Sequence, residues 1–180
     1  MNNLASLLQD RGKPAEAEAL YREALAGMRA KCGDTHVNTL VAVNNLASHL
    51  QSMGKLSEAE ALFRDSLVKL RMPLSDMNPE SFTFINNLAG LLQAQKKYAE
   101  AEPLFRESLS GLRLKLGSTH PSTLSAINNL ASLLDDVGKL SEAEDLFREC
   151  LDGMRHKFGD THPNTLLSVT HLGSLLLAQG

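Results

Sequence analysis

The sequence predicts an all-α solenoid, a right-handed superhelix of stacked helix pairs, on three observations. First, one phrase recurs at a fixed 42-residue interval: NNLASLLQDRGK at 2–13, NNLASHLQSMGK at 44–55, NNLAGLLQAQKK at 86–97 and NNLASLLDDVGK at 128–139. A fixed internal period of roughly 20–50 residues is the signature of stacked repeats rather than of a closed globule. Second, apolar residues within each repeat fall at i, i+3, i+4 and i+7, the spacing of one helix face. Third, a lysine, preceded by glycine in three of the four copies, interrupts that spacing at the matching place in each copy, so every repeat divides into two helices, A and B.

Composition removes several function classes. The 180 residues are 43% hydrophobic and 22% charged, ordinary for a chain that buries a core. A formal net charge of −3, with dispersed lysines and arginines, offers no basic field for nucleic acid or an anionic membrane. No apolar run reaches the length of a membrane span, and Met1 precedes polar Asn2 and Asn3 instead of a basic-then-apolar leader. A cytoplasmic protein with neither nucleic-acid nor membrane partners is expected. Cys32 and Cys150 lie nearly three repeats apart, too far for a disulfide, so both are expected as thiols.

The repeat blocks are 2–43, 44–85, 86–127 and 128–169, with a partial fifth at 170–180, all within a single solenoid over 1–180. In the second block, Val43, Leu46, Ala47 and Leu50 form the apolar face of helix A, which Gly54-Lys55 ends. Helix B follows with Ala59, Leu62, Phe63, Ser66, Leu67 and Leu70. Ser57 with Glu60, and Ser141 with Glu144, have capping-box spacing. Glu18–Arg22, Glu60–Arg64, Glu102–Arg106 and Glu144–Arg148 are i,i+4 pairs on a solvated outer face. Gly33, Gly117 and Gly159 predict left-handed caps, and Pro121 and Pro163 the first turn of the next helix A. Pro73 breaks the second block, so its helix B is expected to end about a turn early, near Arg71, with altered curvature over Met72–Asn78. The fifth copy opens at Thr170-His171-Leu172-Gly173, and its Leu172, Leu175 and Leu176 are expected to lack a covering helix B, as in an excerpt from a longer array.

Column chemistry identifies the repeat. Leu46-Ala47…Leu50 in helix A and Ala59…Phe63 in helix B supply the Leu-small and Ala-x3-aromatic steps of the tetratricopeptide pattern, repeated as Ala17…Tyr21, Ala101…Phe105 and Ala143…Phe147. The small residue lets helices approach, and the ring fills the space between them. The NNLA opening, the GK turn, the EAE segment and the H-P-x-T junction at this period resemble the tetratricopeptide repeats of kinesin light chains over nearly the whole chain. The resemblance implies a non-enzymatic scaffold or adaptor, cytoplasmic and cytoskeleton-associated, with kinesin heavy chain or cargo as partners through regions outside these repeats. Similar repeats serve as sensor arrays in larger proteins with a nucleotide-binding switch, or in ciliary proteins, and a purely structural spacer is a further alternative.

Stacking in register turns one helix A position into a column on the concave surface. Opposite the apolar stripe of the second block stand Asn44, Ser48, Gln51 and Ser52. The matching positions are Asn2, Ser6, Gln9 and Asp10 in the first block, Asn86, Gly90, Gln93 and Ala94 in the third, and Asn128, Ser132, Asp135 and Asp136 in the fourth. An asparagine amide both donates and accepts, so such a column suits an extended peptide backbone of any sequence. The competing role is to bond neighbouring A helices; Asn45, Asn87 and Asn129 are assigned to it, and Asn44, Asn86 and Asn128 are open to both. The resemblance implies basic groove residues holding acidic, tryptophan-containing cargo peptides. These positions carry no Lys or Arg and include Asp10, Asp135 and Asp136, so a neutral or basic partner segment is expected.

Catalysis finds no motif. His36, His120 and His162 recur one per junction, too widely spaced for a metal site, and suit helix capping or packing. His171 replaces an asparagine of the repeated NN pair. Cys150 shares its column with Ala24, Ser66 and Ser108, as a small core residue does. With no HExxH, CxxC, phosphate-cradling glycine loop or nucleophile elbow, neither enzyme activity, cofactor nor metal is expected.

Overall fold

The computed structural model describes Leu8, residues 11–70 and residues 77–179. Among the described residues the elements are eight α-helices without strands: α1 Pro14–Cys32, α2 Val37–Ser52, α3 Leu56–Lys69, α4 Pro79–Ala94, α5 Tyr98–Leu116, α6 Pro121–Asp136, α7 Leu140–Phe158 and α8 Pro163–Gln179. The even-numbered helices are A helices and the odd-numbered ones B helices. The chain divides into two compact units, one ending at Leu91 and the other beginning at Leu92, within α4.

In the first unit α2 packs against α1 and α3. Ala17 and Ala59 are fully buried, as the Ala-x3-aromatic step requires, and the aromatic residues point to the next helix A. The Tyr21 ring centroid lies 5.4 Å from that of His49, and Phe63 meets Phe84 edge-on at 5.0 Å. In the second unit α6 packs against α5 and α7, and α8 against α7. There Phe147 lies 5.7 Å from His171. The B-helix ring therefore joins consecutive repeats rather than only the two helices of its own.

Each A-to-B turn is closed by its lysine. Lys55 N–H donates to Leu50 O at 2.9 Å and Lys139 N–H to Leu134 O at 2.8 Å. The lysine carbonyl then accepts the first helical bond, from Ala59 N–H and Ala143 N–H respectively, both at 3.1 Å. This corrects the capping-box expectation. Lys55 and Lys139 are the N-cap residues and make no side-chain cap bond, so Ser57 and Ser141 already lie inside the first turn. The preceding residue needs positive φ: Gly54 has +72° and Gly138 +75°, whereas Lys96 adopts +60° with a side chain.

At the B-to-A junctions Gly33, Gly117 and Gly159 have positive φ, but ψ near 170° places them outside the left-handed helical cap that the sequence suggested. That combination is open only to glycine. Next along the chain, His36, His120 and His162 accept from the N–H groups of Asn38, Ser122 and Asn164 through Nδ1, each at 3.2 Å. The recurrent histidine is an N-cap. Where the second block has Asn78, its Oδ1 accepts from both Ser81 N–H and Ser81 Oγ–H at 2.9 Å. α3 stops at Lys69, 14 residues long against 19 for α1, α5 and α7, in line with the early stop expected before Pro73. Arg71, Met72 and Pro73 lie outside the described residues.

Candidate interaction surface

The residues singled out from sequence lie on the A helices α2, α4 and α6. On α2, Asn44 is half-buried while Ser48 and Gln51 are exposed. On α4, Gln93 is half-buried, and Asn86 is only 8% exposed, with no partner for its Oδ1. On α6, Asn128 and Ser132 are half-buried and Asp135 is exposed. Asn2 and Ser6, with Gln9 and Asp10, lie outside the described residues.

Several of these groups bond across adjacent A helices. Asn87 Nδ2 donates to Asn44 Oδ1 at 3.2 Å within the first unit. In the second unit His171 Nδ1 is 2.7 Å from Asn128 Oδ1, so the histidine that replaces an asparagine keeps the same bond in the same register. Gln93 Nε2 donates to Asp136 Oδ2 at 2.7 Å and to Ser132 Oγ at 3.4 Å. Among the described residues, the Asn44 and Asn128 bonds engage only the oxygen of each amide, leaving the Nδ2 donors. Between α6 and α8, Ser125, Asn128, Asn129, Asn164 and Ser168 rim a cleft of about 160 Å³ with Met154 on its wall. Its lining carries no charged side chain.

The outer face carries what the sequence reading missed. Glu18 accepts from Arg22 on its own helix at 2.9 Å and from Lys55 of the following repeat at 2.8 Å, and Arg22 continues to Glu58. The second unit repeats the arrangement: Glu102 pairs with Arg106 at 2.9 Å and Lys139 at 2.7 Å, and Arg106 reaches Glu142 at 2.7 Å. Arg29–Asp65 and Arg113–Glu149 add a second rung. Hydrogen bonds from Lys55 and then Arg22 hold the Glu18 carboxyl below its ordinary value, and those from Lys139 and then Arg106 do the same for Glu102. Recurrent Lys, Glu, Glu and Arg columns therefore stitch B helices together, a role signalled only by their identity in all four blocks.

Cys150 is buried, with Sγ 3.4 Å from Leu124 O and 3.7 Å from Ser168 Oγ, and desolvation pushes its thiol up, away from the nucleophilic thiolate. Cys32 and Cys150 are both free. Among the described residues no group of three or more His, Cys, Asp and Glu could hold a metal ion, and no helix is long and apolar enough to cross a membrane.

Paired helices with a buried alanine, an inter-repeat ring and a polar A-helix face define a protein-interaction scaffold, and the chain belongs to the tetratricopeptide-repeat family. That family's profile matches residues 1–67 and 80–156, and a second tetratricopeptide profile matches 44–115. No curated protein matches the chain. The repeats are similar to nearly identical repeats from a Podosopora anserina protein described as a kinesin light chain, which superpose with a TM-score of 0.79 at 25% identity, covering 99% of this chain and 85% of that one. A single-substitution variant of those repeats gives 0.82 at 24% identity, covering 99% and 84%. BtubC (BKLC) of P. vanneervenii has the same fold at a TM-score of 0.80 and 18% identity, covering 92% and 66%.

Proposed function

We propose that the chain is a non-catalytic adaptor of the kinesin light chain kind, which holds an extended partner segment against the face of its A helices. Asn44, Ser48 and Gln51, with Asn86 and Gln93 and then Asn128, Ser132 and Asp135, are the residues assigned to that contact, and Asn2 and Ser6 continue the columns. The observation that carries the reading is that Asn44 and Asn128 each accept one bond from a neighbouring helix and keep their Nδ2 donors for a passing backbone carbonyl. With Asp135 and Asp136 exposed and no cation in these columns, the face favours a neutral or basic segment. The kinesin light chain likeness supports a cytoplasmic, cytoskeleton-associated setting, with heavy chain or cargo as partners.

Fluorescence polarisation with acidic, neutral and basic extended peptides tests this. The proposal expects the basic or neutral peptides to bind and an Asn44→Ala/Asn128→Ala chain of unchanged helicity to lose that binding. An acidic tryptophan peptide that outbinds its Lys-substituted version would refute the charge preference. A second reading, a spacer or sensor array in a switch or ciliary protein, draws on the Asn87–Asn44 and His171–Asn128 bonds, which by themselves tie helices together. It predicts no peptide binding and a lower melting temperature for the same variant.

A further inference from the structure

One residue sets the cleft between α6 and α8 apart from the matching place in the first unit. There Phe84 of α4 is fully buried, with its ring 5.0 Å from that of Phe63. Two periods later the same repeat position on α8 is Ser168. Its Oγ–H donates to Asn164 O at 3.1 Å, and the space a ring would take belongs to a cleft of about 160 Å³. The walls differ as well, since Ser125 and Asn164 stand where the first unit has Val41 and Glu80. α8 is held against α7 through Leu175, 1% exposed, and half-buried Leu172. That corrects the expectation that these two lack cover, and it gives the cleft a fixed second wall.

The lining selects an occupant. Ser125, Asn128, Asn129 and Asn164 supply hydroxyl and amide groups, Met154 and Leu167 an apolar wall, and no side chain of the lining is charged. Asn128 Oδ1 is engaged by His171, which leaves the Nδ2 donor. Among the described residues no hydrogen bond engages the side chains of Ser125, Asn129 or Asn164. A carboxylate or an ammonium entering the cleft would lose water without meeting a counter-charge. A purely aliphatic group would strip water from the amides without replacing their bonds. A cavity of about 150 Å³ takes a benzene-sized group, so there is room for one side chain of moderate size.

We propose that this cleft is a specificity subsite for a glutamine side chain of the partner segment. The two methylenes lie on Met154 and Leu167. The carboxamide oxygen accepts from Asn128 Nδ2, and its NH2 donates to the amide oxygens of Asn129 and Asn164. The inference rests on the reading of the A-helix face as a segment-binding surface, and it names a residue that the segment must carry.

Short fluorescein-labelled peptides of alanine, serine, threonine and lysine, identical except for one central guest residue, are titrated into the full chain by fluorescence polarisation. A glutamine guest should bind about five- to tenfold more tightly than a leucine or a glutamate guest. Asn164→Ala should lower the glutamine peptide to the leucine value and leave the leucine peptide unchanged. The side chain of Asn164 is dispensable to the fold, because its backbone N–H and C=O make the bonds to His162 and Ser168. Equal binding of all guests, a leucine or glutamate guest that outbinds glutamine, or an Asn164→Ala chain that weakens every guest alike overturns the glutamine subsite and leaves the A-helix face as a binding surface. Binding of no guest overturns both.

Discussion

Glu102→Gln removes one acceptor shared by two repeats while keeping the side chain's shape. Lys139 Nζ lies 2.7 Å and 3.0 Å from the two carboxylate oxygens, and Arg106 donates from 2.9 Å. Glu102 is only 21% exposed against 43% and 50% for its partners, so these pairs are less screened than ordinary surface ones. With fully exposed pairs contributing about 0–1 kcal/mol, two such pairs give a loss of about 1–1.5 kcal/mol. For a chain of this size, that lowers the melting temperature by about 2–5 °C. The carboxyl is held below its ordinary 4.5 in the folded chain, so its stabilisation is complete above that value and disappears as pH falls through the folded value. Melts followed by circular dichroism should separate the two proteins at pH 7 and low salt, and the gap should narrow as pH falls below 4.5 and in about 1 M NaCl. Equal melting at pH 7, or a gap that widens as the pH falls below 4.5, would refute the reasoning.

Two further perturbations test the turns and the packing. Lys96→Gly relieves a side chain held at φ +60°, and chemical denaturation should show a gain of about 0.5–1 kcal/mol. Gly153→Ala drives a methyl into Leu124, which is 1% exposed and has little room to turn; overpacking by about 1–3 kcal/mol outweighs a helix-propensity gain of about 1 kcal/mol, so the midpoint should fall.

The elements legible in the sequence were those set by local chemistry. Gly54 and Gly138 mark the A-to-B turn, Pro121 and Pro163 open A helices, and Pro73 lies beyond an α3 that is a turn shorter than its counterparts. Local rules failed where two of them competed. Ser57 and Glu60 match a capping box, but the bond from Lys55 N–H to Leu50 O fixes the turn earlier, and the helix starts before Ser57 can cap it. Contacts at 36 to 43 residues' separation, such as Arg106–Glu142 and Asn87–Asn44, depend on how helices stack, which helical periodicity does not encode. Within the candidate columns, residue type was therefore readable while burial was not: Asn86 and Asn44 share a column, yet Asn86 is buried and Asn44 half-buried.

The most direct test of the A-helix face as the partner-binding surface is to map a bound basic or neutral extended peptide on the isotope-labelled chain by NMR. The account predicts that the side-chain amides of Asn44 and Asn128 and the backbone amides of Ser48, Gln51 and Ser132 shift together, while Arg22, Arg106 and Glu142 on the outer face do not. Shifts confined to α1, α3, α5 and α7, or none at a saturating peptide concentration, would contradict it.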